Sequence, residues 1–582
     1  MRPPASLAAR LLLSAFLVPA VLSGPASLAA EKEPAALPEQ PREKRPEKKS
    51  APRPEEGPQT LPEKIDRLIR ELGHAKYSVR EKAQQELANL GFEAYDALTA
   101  AAHHDDLEIA TRAKYLLRLI PAQWSMEGEP EEVRRYLTYY QSEDQEVRIA
   151  VLKELARLPG GIGVPALCRL VRFEKSTLWS KHAGIVLLNW EPPDKARRAR
   201  WTKALREHLG ESARPAARWL RTYLQFRDDP RAGSARWGEL VEREQTALRR
   251  LPEHSGPRIV AALMYYAAMA QAEAGEGDAA EEAARQARQF TPVRNTTRLS
   301  AREDMAGALR RRGKLRWAEL EYRQVMDAGL PFPKVRAGLT LSEMLHDAGE
   351  EAPAAEALAQ VLKIEKKALD AILNRIDRKA GEIRARMIYF RACRAAEQGH
   401  PAEQRKLLDE ALRHDPAELD SLIARYQLPD VEPEYREKTL ELIGEAAAAL
   451  RQAIDEARDD PRYHNQLAWL VGNTEGDLDE ALRCARRAVE LAPETSAYQD
   501  TLAHVYFARG ELEKAVEHQT RAAELEPHSG LIAEKLVVFR KALEASRAKQ
   551  EPKPDEKPAG AETAPKPPSE KRPPKAESPA PE

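Results

Sequence analysis

The sequence predicts an all-α protein, a stack of helical hairpins forming an α-solenoid, with proline-rich ends that carry no regular structure. Three observations predict it. Apolar residues recur at helical spacing, Val/Ile alternation between turn signals is nearly absent, and Ala, Leu, Arg and Glu dominate over only 9 Phe. Four positions repeat at one interval: Gly476, Ala481, Ala488 and Pro493 each stand 34 residues before Gly510, Ala515, Ala522 and Pro527. The ends differ sharply in composition. Residues 31–60 hold seven prolines among seven acidic and seven basic residues, and 551–582 hold ten prolines among seven acidic and six basic. Such segments bury too little apolar surface to offset the entropy of ordering them, so disorder is expected.

The repeat is clearest in 496–527, SAYQDTLAHVYFARGELEKAVEHQTRAAELEP. Leu502, Ala503 and Tyr506 share a face of a first helix, Gly510 marks the turn, and Ala515, Val516, Ala522 and Leu525 line a second helix that Pro527 stops. Ala515 and Ala522 are two turns apart, so small side chains open one face to close approach by a neighbour. One hairpin cannot bury these faces alone, and stacking follows. A 34-residue helix–turn–helix period resembles the tetratricopeptide repeat.

The resemblance implies a protein-binding solenoid whose first helices line a concave peptide groove. In the strong pair the groove positions map to Arg462, Asn465 and Trp469, then Asp500, His504 and Phe507. Asp500 has the wrong sign for a peptide's terminal carboxylate, so the ligand is expected not to be one. His504 is expected to gain charge near its ordinary pKa and make binding acid-sensitive. The opposing reading is that Trp469 and Phe507 pack against the next unit.

In chain order, residues 1–30 read as a secretory signal peptide: Arg2 and Arg10, an apolar run at 11–22, and small residues at 27–30. Residues 31–60 form a disordered Pro/Glu/Lys-rich linker. Residues 61–190 look like degenerate HEAT-type helical repeats, because the pattern around Val79-Arg80 returns at Val147-Arg148. Both arginines are expected to bond carbonyls or acids of the adjacent unit. Residues 191–255 read as a helical joint. Trp190, Trp201, Trp219 and Trp237 fall in or beside it, which allows either a buried core or a tryptophan-lined cavity.

Residues 256–547 read as the tetratricopeptide solenoid. Its weaker units are marked by Gly275, Gly313, Gly349 and Gly399, the period is interrupted at 419–460, and 531–547 form a capping helix. Residues 548–582 are a disordered tail.

Charge is balanced, 92 basic against 93 acidic residues, so no net field attracts nucleic acid or anionic lipid. Cys168, Cys393 and Cys484 lie far apart, lack metal-ligand spacing, and read as buried small hydrophobes. The run His103-His104-Asp105-Asp106 suits a helix end followed by a helix start. Phosphate-loop, nucleophile-elbow and HExxH motifs are absent. No catalytic residue, cofactor or metal is expected. The functional expectation is an exported, non-enzymatic scaffold for protein or peptide partners, periplasmic or extracellular. A structural envelope protein associating with wall polymer, or a helical cell-wall enzyme, are the alternatives.

Overall fold

The computed structural model describes residues 60–119, 124–126, 128–142, 144–290 and 296–550. The expected leader (1–30), the linker up to residue 59 and the tail from 551 onward lie outside the described residues. Among the described residues every regular element is helical, and no helix is long and apolar enough to cross a membrane.

The first helices are α1 (Leu61–Glu71), α2 (Tyr77–Leu90), α3 (Tyr95–Ala101), α4 (Leu107–Leu119), α5 (Glu131–Tyr140), α6 (Gln145–Arg157), α7 (Val164–Phe173) and α8 (Thr177–Asn189). They pack as successive pairs. The arginines of the recurring pattern tie neighbours together. Arg80 donates to the carbonyls of His74 and Ala75 and pairs with Glu108 of α4 at 3.1 Å. Arg148 pairs with Glu174 at 2.9 Å and lies over the rings of Tyr140 and Trp179. At the His-His-Asp-Asp run, the Asp106 carboxylate accepts from the backbone N–H groups of Glu108 and Ile109, capping α4.

The joint comprises α9 (Lys195–Leu209), α10 (Pro215–Asp228) and α11 (Pro230–Arg250). Trp201, Trp219 and Trp237 are buried here, with Trp237 stacked on Tyr266 at 5.6 Å and Trp201 edge-on to Tyr223. Polar groups cross it as well. Glu191 accepts from the Tyr223 hydroxyl and pairs with Arg227 at 2.9 Å and Arg312 at 3.4 Å. Lys181 and Glu244 form a buried pair at 2.5 Å.

Hairpins follow: α12 (Pro257–Glu273) with α13 (Gly277–Phe290), α14 (Thr296–Arg311) with α15 (Leu315–Asp327), and α16 (Pro331–Asp347) with α17 (Glu351–Leu362). A short α18 (Lys366–Arg375) precedes the hairpin α19 (Ala380–Glu397) with α20 (Pro401–His414). The interruption is α21 (Leu419–Tyr426) and the long α22 (Pro433–Glu456). The strong pair is α23 (Pro461–Asn473) with α24 (Leu478–Leu491) and α25 (Ser496–Ala508) with α26 (Leu512–Leu525), capped by α27 (Gly530–Gln550).

Five of these turns are the same device. Gly275, Gly313, Gly349, Gly399 and Gly510 take φ between 69° and 88°. In each, the following residue's N–H bonds a carbonyl five residues back, as Glu511 does to Tyr506 at 2.9 Å. This is the Schellman closure that a left-handed glycine permits. The matched alanines, from Ala280 to Ala522, are buried against the partner helix.

One hydrophobic core is continuous from Ile65 to Ala411, straight through the joint, and a second runs from Leu412 to Phe539. The array also curls back on itself. Arg521 of α26 pairs with Asp194 before α9, Arg197 pairs with Glu494 at 2.9 Å, and the Ser529 hydroxyl donates to Asp347 of α16 at 2.6 Å.

Candidate binding cavity at the junction of the helix stacks

The six residues expected to line a groove sit mostly inside hairpin contacts. Asn465, Asp500 and His504 are buried, Trp469 and Phe507 half-buried, and Arg462 exposed and paired with Asp460 at 2.6 Å. The Trp469 indole N–H donates to Asp420 at 2.9 Å, and its ring meets His504 edge-on at 4.9 Å. His504 in turn meets Phe539 of α27 at 5.2 Å, and Phe507 stacks on Phe539 at 4.3 Å. Trp469, His504 and Phe539 are successive rungs, 35 residues apart, of one ladder between first helices. The expected open face is therefore covered by the next first helix. The Asp500 carboxylate accepts from Gln519 at 2.7 Å, and burial pushes its pKa up to about 6.

His504 departs from expectation most clearly. Burial, with Lys535 nearby, pulls its pKa down to about 3, so it does not gain charge near its ordinary value. The hint in the sequence is that Asp500 is the one residue of α25 charged at neutral pH. Ten of its thirteen residues are buried.

A concave site lies instead where the N-terminal pairs meet the first hairpins. A cavity of about 310 Å³ opens between α6, α8, α12 and α14. Ile149, Ile185, Ala262 and Met305 give it an apolar floor, and Ala150 is exposed on its wall. Charged groups also line it, several of them paired. Lys153 pairs with Asp304 at 2.6 Å, and Arg302 pairs with Glu321 at 2.5 Å, while Tyr265 donates to the same Glu321. Arg258 and Arg336 complete it. Burial, reinforced by Arg258 and Arg148, pulls the pKa of His182 down to about 4, leaving a neutral imidazole on the wall. At one end Trp190 is sandwiched between Arg157 at 4.6 Å and Arg311 at 4.3 Å, a cation–π stack joining α6 to α14.

Of the four joint tryptophans, then, Trp190 lines a cavity while Trp201, Trp219 and Trp237 form core. Sequence reading put the binding residues at the strong pair and missed this wall. Its residues lie from 146 to 336, in the segments whose period is weakest.

No protein-family model and no curated protein matches the chain. Solved structures of tetratricopeptide proteins do. TTC0263 of Thermus thermophilus is 18% identical over 36% of this chain and 98% of its own, with a TM-score of 0.25. A tetratricopeptide protein of Parabacteroides merdae is 16% identical over 49% of this chain and 100% of its own, with a TM-score of 0.27. IFIT1, solved as a monomeric mutant with Gppp-AAAA, is 14% identical over 72% of this chain and 93% of its own, with a TM-score of 0.31. The fold assignment rests on the chain's own geometry: repeated hairpins, left-handed glycine turns and buried alanine seams make it a tetratricopeptide-type helical repeat protein.

Proposed function

We propose that the protein is a non-enzymatic scaffold that holds a peptide segment of a partner protein in the junction cavity. The observation that carries this is the cavity's composition: an apolar floor shared by α6, α8, α12 and α14, with the charges Lys153–Asp304 and Arg302–Glu321 beside it already paired. Concave apolar sites with a few convergent polar groups are where ligands bind. Satisfied rim charges confer orientation rather than attraction for a bare ion. The occupant that fits is an apolar side chain on a segment with polar flanks. The volume lies near the lower bound for ligand sites, so the cavity receives an anchor residue while the rest of the segment runs along α6 and α14. The leader-like composition of residues 1–30 supports export, with the partner in the periplasm or outside the cell.

Peptide-display selection on the full chain tests this. Selected peptides are expected to share an apolar anchor between polar residues, and to lose binding when Ala150, exposed on the cavity wall, becomes Trp. Peptides that bind the Ala150→Trp chain as tightly as the parent would overturn the assignment. Detection of residues 1–30 on the mature, cell-associated chain would overturn cleavage of the leader.

A further inference from the structure

We propose that His346, Glu351 and Cys393 form a binding site for a divalent transition-metal ion of the zinc class, clamping the α16/α17 hairpin to α19. The three side chains each offer one donor atom, and these atoms lie within 4.8 Å of one another. His346 stands in the last turn of α16, Glu351 opens α17 after the Gly349 turn, and Cys393 comes from the first helix of the next hairpin. The nitrogen, oxygen and sulfur donors are those a borderline cation prefers, and three protein ligands leave a position for water.

A second observation points to a ligand independently. The Glu351 side chain is only 6% exposed. One of its oxygens lies 2.7 Å from His346 Nδ1, but the other, Oε2, has no hydrogen-bond partner among the described residues. A buried carboxylate oxygen without a partner is costly, and a cation beside it removes that cost. Arg386, a cation close enough to act on Cys393, is already committed: it pairs with Glu343 at 2.8 Å and Glu418 at 3.1 Å, and also with Asp420. The imidazole is held in place by Phe390, 4.8 Å away, and Tyr389. His346 and Cys393 are each partly exposed, which provides entry.

Binding balances simply. The ion displaces the thiol proton to solvent and takes the thiolate, the imidazole proton facing Glu351 is passed through solvent so that the neutral ring carries it on Nε2, and the His346–Glu351 hydrogen bond is exchanged for two metal–ligand bonds. Because the thiolate is the ligand, binding releases a proton and tightens as pH rises. Among the described residues, Cys168 and Cys484 have no comparable companions. The cluster is hard to see in the sequence because Cys393 lies beyond α17 and α18, on α19.

The test uses the full chain, freed of metal by chelator and titrated with Co(II). The expected result is one equivalent bound, a near-ultraviolet thiolate-to-cobalt charge-transfer band, d–d bands of low-coordinate cobalt, and displacement by Zn(II). Cys393→Ser should abolish the charge-transfer band while Cys168→Ser and Cys484→Ser keep it. Glu351→Gln should weaken binding by more than about tenfold, the loss that even an outer-shell partner causes. Absence of the band in the parent chain overturns the proposal. So does its survival in Cys393→Ser, or unchanged affinity in Glu351→Gln, each judged on chains with parental helical circular dichroism.

Discussion

His504 shows how burial changes a residue's chemistry. Its ring lies between Trp469 and Phe539, and Nδ1 meets the Asn473 side-chain oxygen at 3.1 Å. The folded chain refuses a proton there until about pH 3, whereas the unfolded chain accepts one near pH 6.5. Between those values the unfolded state holds more protons, so this residue's contribution to stability is present above pH 6.5 and is lost as pH falls. Asp500 acts in the opposite sense: its folded pKa of about 6 exceeds the ordinary value of 3.8, so within that window acid favours the folded state. His504→Gln isolates the histidine. Melting temperatures of parent and variant, measured from pH 7 to pH 4, should converge as pH falls. A constant difference across that range would contradict neutral burial. At this scale the sequence was legible in type but not in environment. Trp469 and His504 were singled out as chemically capable, yet 35-residue steps from Trp469 to His504 to Phe539 decide that they face a neighbour.

Helices and turns were the most legible level, because their signals are local. The left-handed glycines and the buried alanines stand where spacing put them, from Gly275 to Gly510 and Ala280 to Ala522. Ala515 is fully buried, so Ala515→Leu should cost about 1–3 kcal/mol by overpacking. Stability in such arrays is mostly nearest-neighbour. Hydrogen exchange should therefore rise in α24–α27 and stay unchanged in α1–α8; an equal rise in both would contradict local coupling. The capping helix runs from Gly530 to Gln550, slightly beyond the expected 531–547. The short α18 was not legible. It fills the connection between α17 and α19, and nothing in its ten residues separates an inserted helix from a continued one.

The whole molecule was least legible, because its contacts join residues hundreds of positions apart. The 191–255 segment was expected to divide two solenoids, yet the core passes through it unbroken and divides at Leu412, next to the 419–460 interruption. The aromatic block of Trp237, Tyr266, Tyr223 and Trp201 fills what would otherwise be a gap. Closure of the curl is equally hidden. Asp194 is 1% exposed; burial alone would raise its pKa, but the Arg197 backbone N–H and the Arg521 guanidinium outweigh burial and hold it below the usual carboxylate range. Arg521→Glu places two carboxylates together and should open the curl, read as a larger radius of gyration by solution scattering with unchanged helicity. An unchanged radius would mean that the remaining contacts at Glu494 and Ser529 close it unaided. The central claim is that the partner segment enters the junction cavity and not the α23–α25 face. Calorimetric titration of a selected peptide into two variants, each with its melting temperature, tests it most directly. Ala150→Trp should lose binding with an unchanged melting temperature. Trp469→Ala combined with Phe507→Ala should keep affinity and melt several degrees lower, each truncation costing up to about 3 kcal/mol at these half-buried sites. The reverse pattern, binding lost in the double variant at parental stability and retained in Ala150→Trp, would contradict the account.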